Sequence, residues 1–143
     1  MTRLIARMSR ALAAGGSVLL LATSGACSTN RAVSGKVLPG EAGVATVVQE
    51  NDPRLEGEGL AGVELRVTDG STGMGSIAST TTKADGSFSL KVPEAAMTRR
   101  LEVHATSEQI LPFRGSTMLP MDGRKLLLFV EPVREIPARG RER

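Results

Sequence analysis

The chain has 143 residues, room for one ordinary domain and not two. It has no Trp, no Tyr and three Phe, so its core must be aliphatic, and a face for stacking sugars or single-stranded nucleic acid has little to build on. The net charge of +3 comes from Arg3, Arg7 and Arg10; without them 15 basic residues face 15 acidic ones, which removes the basic footprint that nucleic-acid binding needs.

Residues 1–26 have the layout of an export signal. Arg3, Arg7 and Arg10 form a positive stretch, residues 11–22 are uncharged and mostly apolar, and Thr23, Ser24, Gly25 and Ala26 are small. The apolar run is too short to span a bilayer comfortably. Cys27 is the only cysteine, so the domain stands on packing without an internal disulfide. Leu21-Ala22-Thr23-Ser24-Gly25-Ala26-Cys27 resembles a bacterial lipoprotein signal, with Ser24 where Leu is usual. The resemblance implies a diacylglyceryl group on the Cys27 sulfur and cleavage that makes Cys27 the mature N-terminus. Ser28, in place of Asp, then implies sorting to the outer membrane. Conventional cleavage after Ala26, giving a soluble secreted product, is the alternative. Residues 27–31 read as a short polar tether.

The pattern that follows is β. Residues 32–38 hold a first strand, Val33-Ser34-Gly35-Lys36-Val37. Residues 39–59 form a long connection with a β-prone island at 44–49, suited to an edge strand. Val63, Leu65 and Val67 alternate with polar residues, which predicts a strand burying one face. A Gly-rich linker at 71–75 leads into a strand at 76–82. The stretch 80–93 organises the rest: three Thr, an Asp85-Gly86 turn signal, then Phe88, Leu90 and Val92 alternating with Ser87, Ser89 and Lys91 up to Pro93. It predicts a hairpin with one apolar face and a structural turn at Asp85 and Gly86.

Residues 94–98 make one helical turn or an open loop. Residues 99–106 alternate again, with Leu101, Val103 and Ala105 inward. Residues 110–119, interrupted by Pro112 and Gly115, fit an irregular or edge strand. After Asp122-Gly123, the run Arg-Lys-Leu-Leu-Leu-Phe-Val at 124–130 predicts a strand covered on both faces, or one whose outer face lies under a loop. Residues 134–143 carry four Arg without periodicity and read as a disordered tail. The fold class expected is all-β, a single antiparallel sandwich of about seven strands over residues 32–133. Its core is Val63, Leu65, Val67, Phe88, Leu90, Val92, Leu101, Val103, Leu126 and Leu128.

Three segments carry a family resemblance: Val33-Ser34-Gly35-Lys36-Val37; Gly59-Leu60-Ala61-Gly62-Val63-Glu64-Leu65-Arg66-Val67; and the run from Thr81 to Pro93 that contains Asp85-Gly86-Ser87-Phe88-Ser89-Leu90. Over about residues 32–131 the chain resembles the carboxypeptidase regulatory-like domain, which implies a transthyretin-like sandwich. The family's Pro-Gly-x-Tyr turn is replaced by the longer 94–100, and its later Gly-Tyr pair by Gln109-Ile110-Leu111-Pro112. Members of that family are mostly non-catalytic modules, so the fold alone assigns no activity.

The residues themselves supply little chemistry. His104 is the only histidine and lies on the polar phase of its strand, as a solvent-facing side chain does. A zinc site lacks a second His, so no metal or cofactor is expected. Asp69, Asp85 and Asp122 read as turn residues rather than calcium ligands. A Lys–Asn isopeptide bond from Lys36 is unpromising, because Asn30 and Asn51 are the only Asn and neither lies in the last strand. Phe113-Arg114-Gly115-Ser116 is similar to the terminal motif of hydroxyisourate hydrolases, but 27 residues follow it and a second His is missing.

The expectation is therefore a non-enzymatic envelope lipoprotein, anchored through Cys27 on the outer side of the inner membrane or in the outer membrane. Its partner would be an envelope protein or glycan and not nucleic acid. The alternative is a secreted glycan- or peptide-binding domain of the same fold, with a hydrolase third.

Overall fold

The computed structural model describes residues 29–70 and 75–134. The expected export segment 1–26, Cys27 and all but Arg134 of the expected tail 134–143 lie outside the described residues. Among those described are eight strands: β1 (Asn30–Pro39), β2 (Val44–Gln49), β3 (Glu64–Thr68), β4 (Ser76–Thr81), β5 (Ser87–Pro93), β6 (Arg100–Thr106), β7 (Phe113–Met118) and β8 (Arg124–Val130). Two 3-10 turns, Pro53–Glu56 and Glu94–Ala96, are the only helical elements among them.

The strands form two four-stranded sheets facing each other, ordered β2-β8-β1-β5 and β4-β3-β6-β7. All pairings are antiparallel except one. β1 and β8 run parallel, with Gly35 opposite Leu126 and Val37 opposite Leu128. This departs from the purely antiparallel expectation. β1 and β8 come from opposite ends of the chain, so no short turn fixes their direction.

The inward phases of both sheets meet in one core. Val63, Leu65, Val67, Phe88, Leu90, Val92, Leu101, Val103, Leu126 and Leu128 are all buried in it, joined by Val33, Val37, Met97, Ile110, Leu119 and Val130. Each such side chain stabilises by roughly 1.5–3 kcal/mol on full burial. Leu127, on the opposite phase of β8, is fully buried too. It packs with Leu38 and Val48, beneath Leu55 of the first 3-10 turn. That turn explains why β8 is apolar on both phases. Asp52 caps it by accepting the Arg54 N–H at 3.0 Å, Pro53 starts it, and Lys36 Nζ donates to the Leu55 carbonyl at 2.9 Å.

Two local expectations change. The 27–31 tether overlaps β1, because Asn30 and Arg31 pair with Pro93 and Val92. β5 runs out to Pro93 and leaves partners there, and the Glu94 N–H donates to the Thr29 carbonyl at 2.9 Å. The stretch 80–93 is not a hairpin. β4 pairs with β3 in one sheet and β5 pairs with β1 in the other, so Asp85-Gly86 turns the chain between sheets. The turn itself is tight: Gly86 has φ +79, its N–H donates to the Lys83 carbonyl at 2.9 Å, and the Lys83 N–H donates to the Ser87 carbonyl at 2.8 Å.

That turn is stitched to its neighbours. The Val37 N–H donates to the Gly86 carbonyl at 2.9 Å, and the Leu60 N–H donates to the Val37 carbonyl at 2.9 Å. Thr82 is the one buried polar residue of the described chain. Its hydroxyl donates to the Leu60 carbonyl at 2.6 Å and accepts the Val63 N–H at 2.9 Å.

Candidate functional site

Strand alternation places one phase of β3, β6 and β7 on the outer face of their sheet. β3 contributes Glu64, Arg66 and Thr68, β6 contributes Glu102, His104 and Thr106, and β7 contributes Arg114. Register brings them together: Arg66 stands opposite His104, His104 opposite Arg114, and Thr68 opposite Glu102. The seven side chains line an open recess of about 380 Å³.

Glu102 is its centre. Its Oε2 accepts from Arg114 Nη2 at 2.7 Å and Nε at 3.1 Å, and lies 3.5 Å from His104 Nε2. The same His104 nitrogen is 3.3 Å from Thr68 Oγ1. Arg66 pairs with Glu64 at 3.2 Å, and Arg99 pairs with Asp69 at 2.8 Å nearby. His104 is thus half-buried among polar neighbours and not simply solvent-facing. The periodicity gave its face; its neighbours depend on a cross-strand register that one strand's sequence does not contain.

This geometry bears on chemistry. A hydroxyl–imidazole–carboxylate relay needs nucleophile and carboxylate on opposite ring nitrogens. Here Thr68 and Glu102 meet the same nitrogen, and Arg114 already holds the carboxylate oxygen. The face carries charges of both signs, Glu64 and Glu102 beside Arg66 and Arg114.

The other candidate residues lie apart from this face. Asp85 accepts from the Ser87 hydroxyl at 2.6 Å and the Ser87 N–H at 3.0 Å, and these bonds hold its carboxyl below the usual carboxylate value. Asp122 faces Arg31 at 3.2 Å. Among the described residues no three His, Cys, Asp or Glu side chains are grouped so as to hold a metal ion. Gly115 of the Phe113-Arg114-Gly115-Ser116 stretch has the Phe113 ring against it, and Arg114 is committed to Glu102.

The chain matches no protein-family model, no curated protein and no solved structure at a significant level. Any functional reading therefore rests on its own residues.

Proposed function

We propose that this chain is a non-catalytic, exported lipoprotein whose sandwich is a structural or partner-binding module, held to the cell envelope by a diacylglyceryl group on Cys27. The observation that carries the reading is a spacing. A lipoprotein-like signal ends at Cys27, and β1 opens at Asn30, three residues later. An anchor there holds the folded domain directly at a membrane. Two acyl chains come from one residue, and each buried methylene contributes roughly 0.8 kcal/mol, so release without detergent is rare.

The sandwich itself we read as carboxypeptidase regulatory-like, with a transthyretin-like fold. In support, the three segments that resemble the family touch one another through the Leu60–Val37 and Val37–Gly86 backbone hydrogen bonds. The partner-facing surface on this reading is the charged outer face of β3, β6 and β7.

Fractionation of cells carrying the natural chain and Cys27→Ser tests the anchor. The natural chain should pellet with membranes, and the variant should move to the soluble or uncleaved pool with its fold intact. A natural chain that stays soluble contradicts the anchor and favours the secreted binding domain.

A further inference from the structure

We propose that the domain stands end-on against an anionic phospholipid surface, resting on the end of the sandwich where β1 begins; the proposal builds on the Cys27 anchor. Pairings identify that end. Asn30 opens β1 opposite Pro93 at the close of β5, while Arg100 opens β6 opposite Met118 at the close of β7. Arg124 opens β8 opposite Gln49 at the close of β2.

The chain that precedes Thr29 must leave from this end. Thr29 is fixed to Glu94 through its carbonyl and its hydroxyl, each at 2.9 Å, and Arg31 reaches Asp122 at 3.2 Å. Cys27 is two residues before Thr29, so in any conformation it lies within about 7 Å of that corner. A lipid on its sulfur brings the bilayer to this end.

The surface there is what a charged bilayer would meet. Met118 and Met121 are 49% and 54% exposed, beside Pro120, and two open recesses join at Met121 and Arg124. Arg124 lines both recesses, Lys125 lines one, and Arg100 stands opposite Met118; none of the three has an ion pair among the described residues, whereas Asp122 and Glu94 are both turned to Arg31 and Asp69 to Arg99. Glu50 is the acidic exception, and it lines the recess that holds Arg124 and Lys125. Unbranched methionine side chains pack into an irregular acyl boundary, while arginine and lysine bind headgroup phosphates. The opposite end also exposes apolar side chains, Val44, Leu111 and Val133, but with Glu41, Glu108 and Glu131 among them. Lys83 and Arg134 stand against these carboxylates, so among the described residues that end is the poorer match to an anionic surface.

Site-specific labelling tests the arrangement on the full chain purified from membranes. Acylation blocks the Cys27 thiol, so an introduced cysteine takes an environment-sensitive fluorophore alone. In phosphatidylethanolamine–phosphatidylglycerol vesicles, labels at Met121→Cys and Thr98→Cys should be quenched by brominated acyl chains. They should also be severalfold less accessible to iodide than a label at Glu108→Cys. Arg124→Glu with Lys125→Glu should reduce that protection. Equal iodide access at all three positions, or protection at 108 instead, overturns the end-on proposal. Mass spectrometry of the purified chain separates the two ideas. An unmodified Cys27 overturns the anchor together with the orientation, whereas a diacylated chain with unprotected labels overturns the orientation alone.

Discussion

Gly86 sits against Gly59 so closely that a Cβ on Gly86 would lie 2.5 Å from the Gly59 Cα, and 2.6 Å from the Leu60 nitrogen. Backbone cannot yield as a flexible side chain does. Gly86 also holds φ +79, in the left-handed region. Gly62 shares that backbone state, with φ +71, but has nothing within 4 Å of its would-be Cβ. Gly62→Ala should therefore cost only the conformational strain, about 1–2 kcal/mol. Gly86→Ala should cost a further ~1–3 kcal/mol for the forced backbone shift. Urea unfolding of the two variants checks this, and equal costs would mean that the turn does not press on residues 59–60.

Thr82 is the buried hydroxyl that joins the entry of β3 to the exit of β4. Thr82→Val keeps the shape but leaves the Val63 N–H without its partner. The expected loss is about 1–3 kcal/mol. Thr82→Ser keeps the hydroxyl and should lose less. The comparison is made by thermal and denaturant melts of both variants; a Thr82→Val chain as stable as the natural one contradicts the assignment.

Acid should weaken the fold in a defined window. The Arg54 guanidinium, and then its backbone N–H, hydrogen-bond the Asp52 carboxylate and hold its pKa at about 2, while the Ser87 hydroxyl and N–H lower that of Asp85. Lowered carboxylates add stability that is fully present above the unfolded value near pH ~4 and is lost as pH falls towards 2. Denaturant midpoints should accordingly drop between pH 5 and pH ~2.5, and drop less in Asp52→Asn. An identical pH dependence in that variant would show that the Asp52–Arg54 pair contributes nothing.

The shared His104 nitrogen yields a prediction about activity. A screen of the purified chain against ester, amide and phosphoester substrates should find no turnover above buffer. Hydrolysis that disappears in His104→Ala would contradict the non-catalytic reading.

Strands were legible in this sequence because period-2 alternation records a face directly, as Phe88, Leu90 and Val92 do in β5. Sheet membership was not. Thr80–Thr82 and Ser87–Pro93 read as the arms of one hairpin, since Asp-Gly specifies a reversal without saying which neighbour each arm will meet. The partners of β4 and β5 are set by long-range contacts, among them the Thr82 bonds to Leu60 and Val63. The first 3-10 turn did leave a signal, Asp52-Pro53, an N-cap residue followed by a proline suited to the first helical position. Thr82 left none, because a Thr in a β-branched run looks the same whether its hydroxyl meets solvent or a buried N–H. The charged face was legible as a polar phase. Its centre, Glu102 between Arg114 and His104, emerges only when β6 and β7 are in register.

The anchor is the central claim, and intact mass with N-terminal fragmentation of the chain extracted from membranes tests it most directly. The account predicts a mature chain that begins at Cys27 and carries the added mass of a diacylglyceryl group on the sulfur. A mature chain starting at Cys27 with an unmodified thiol, recovered in the soluble fraction, would contradict it.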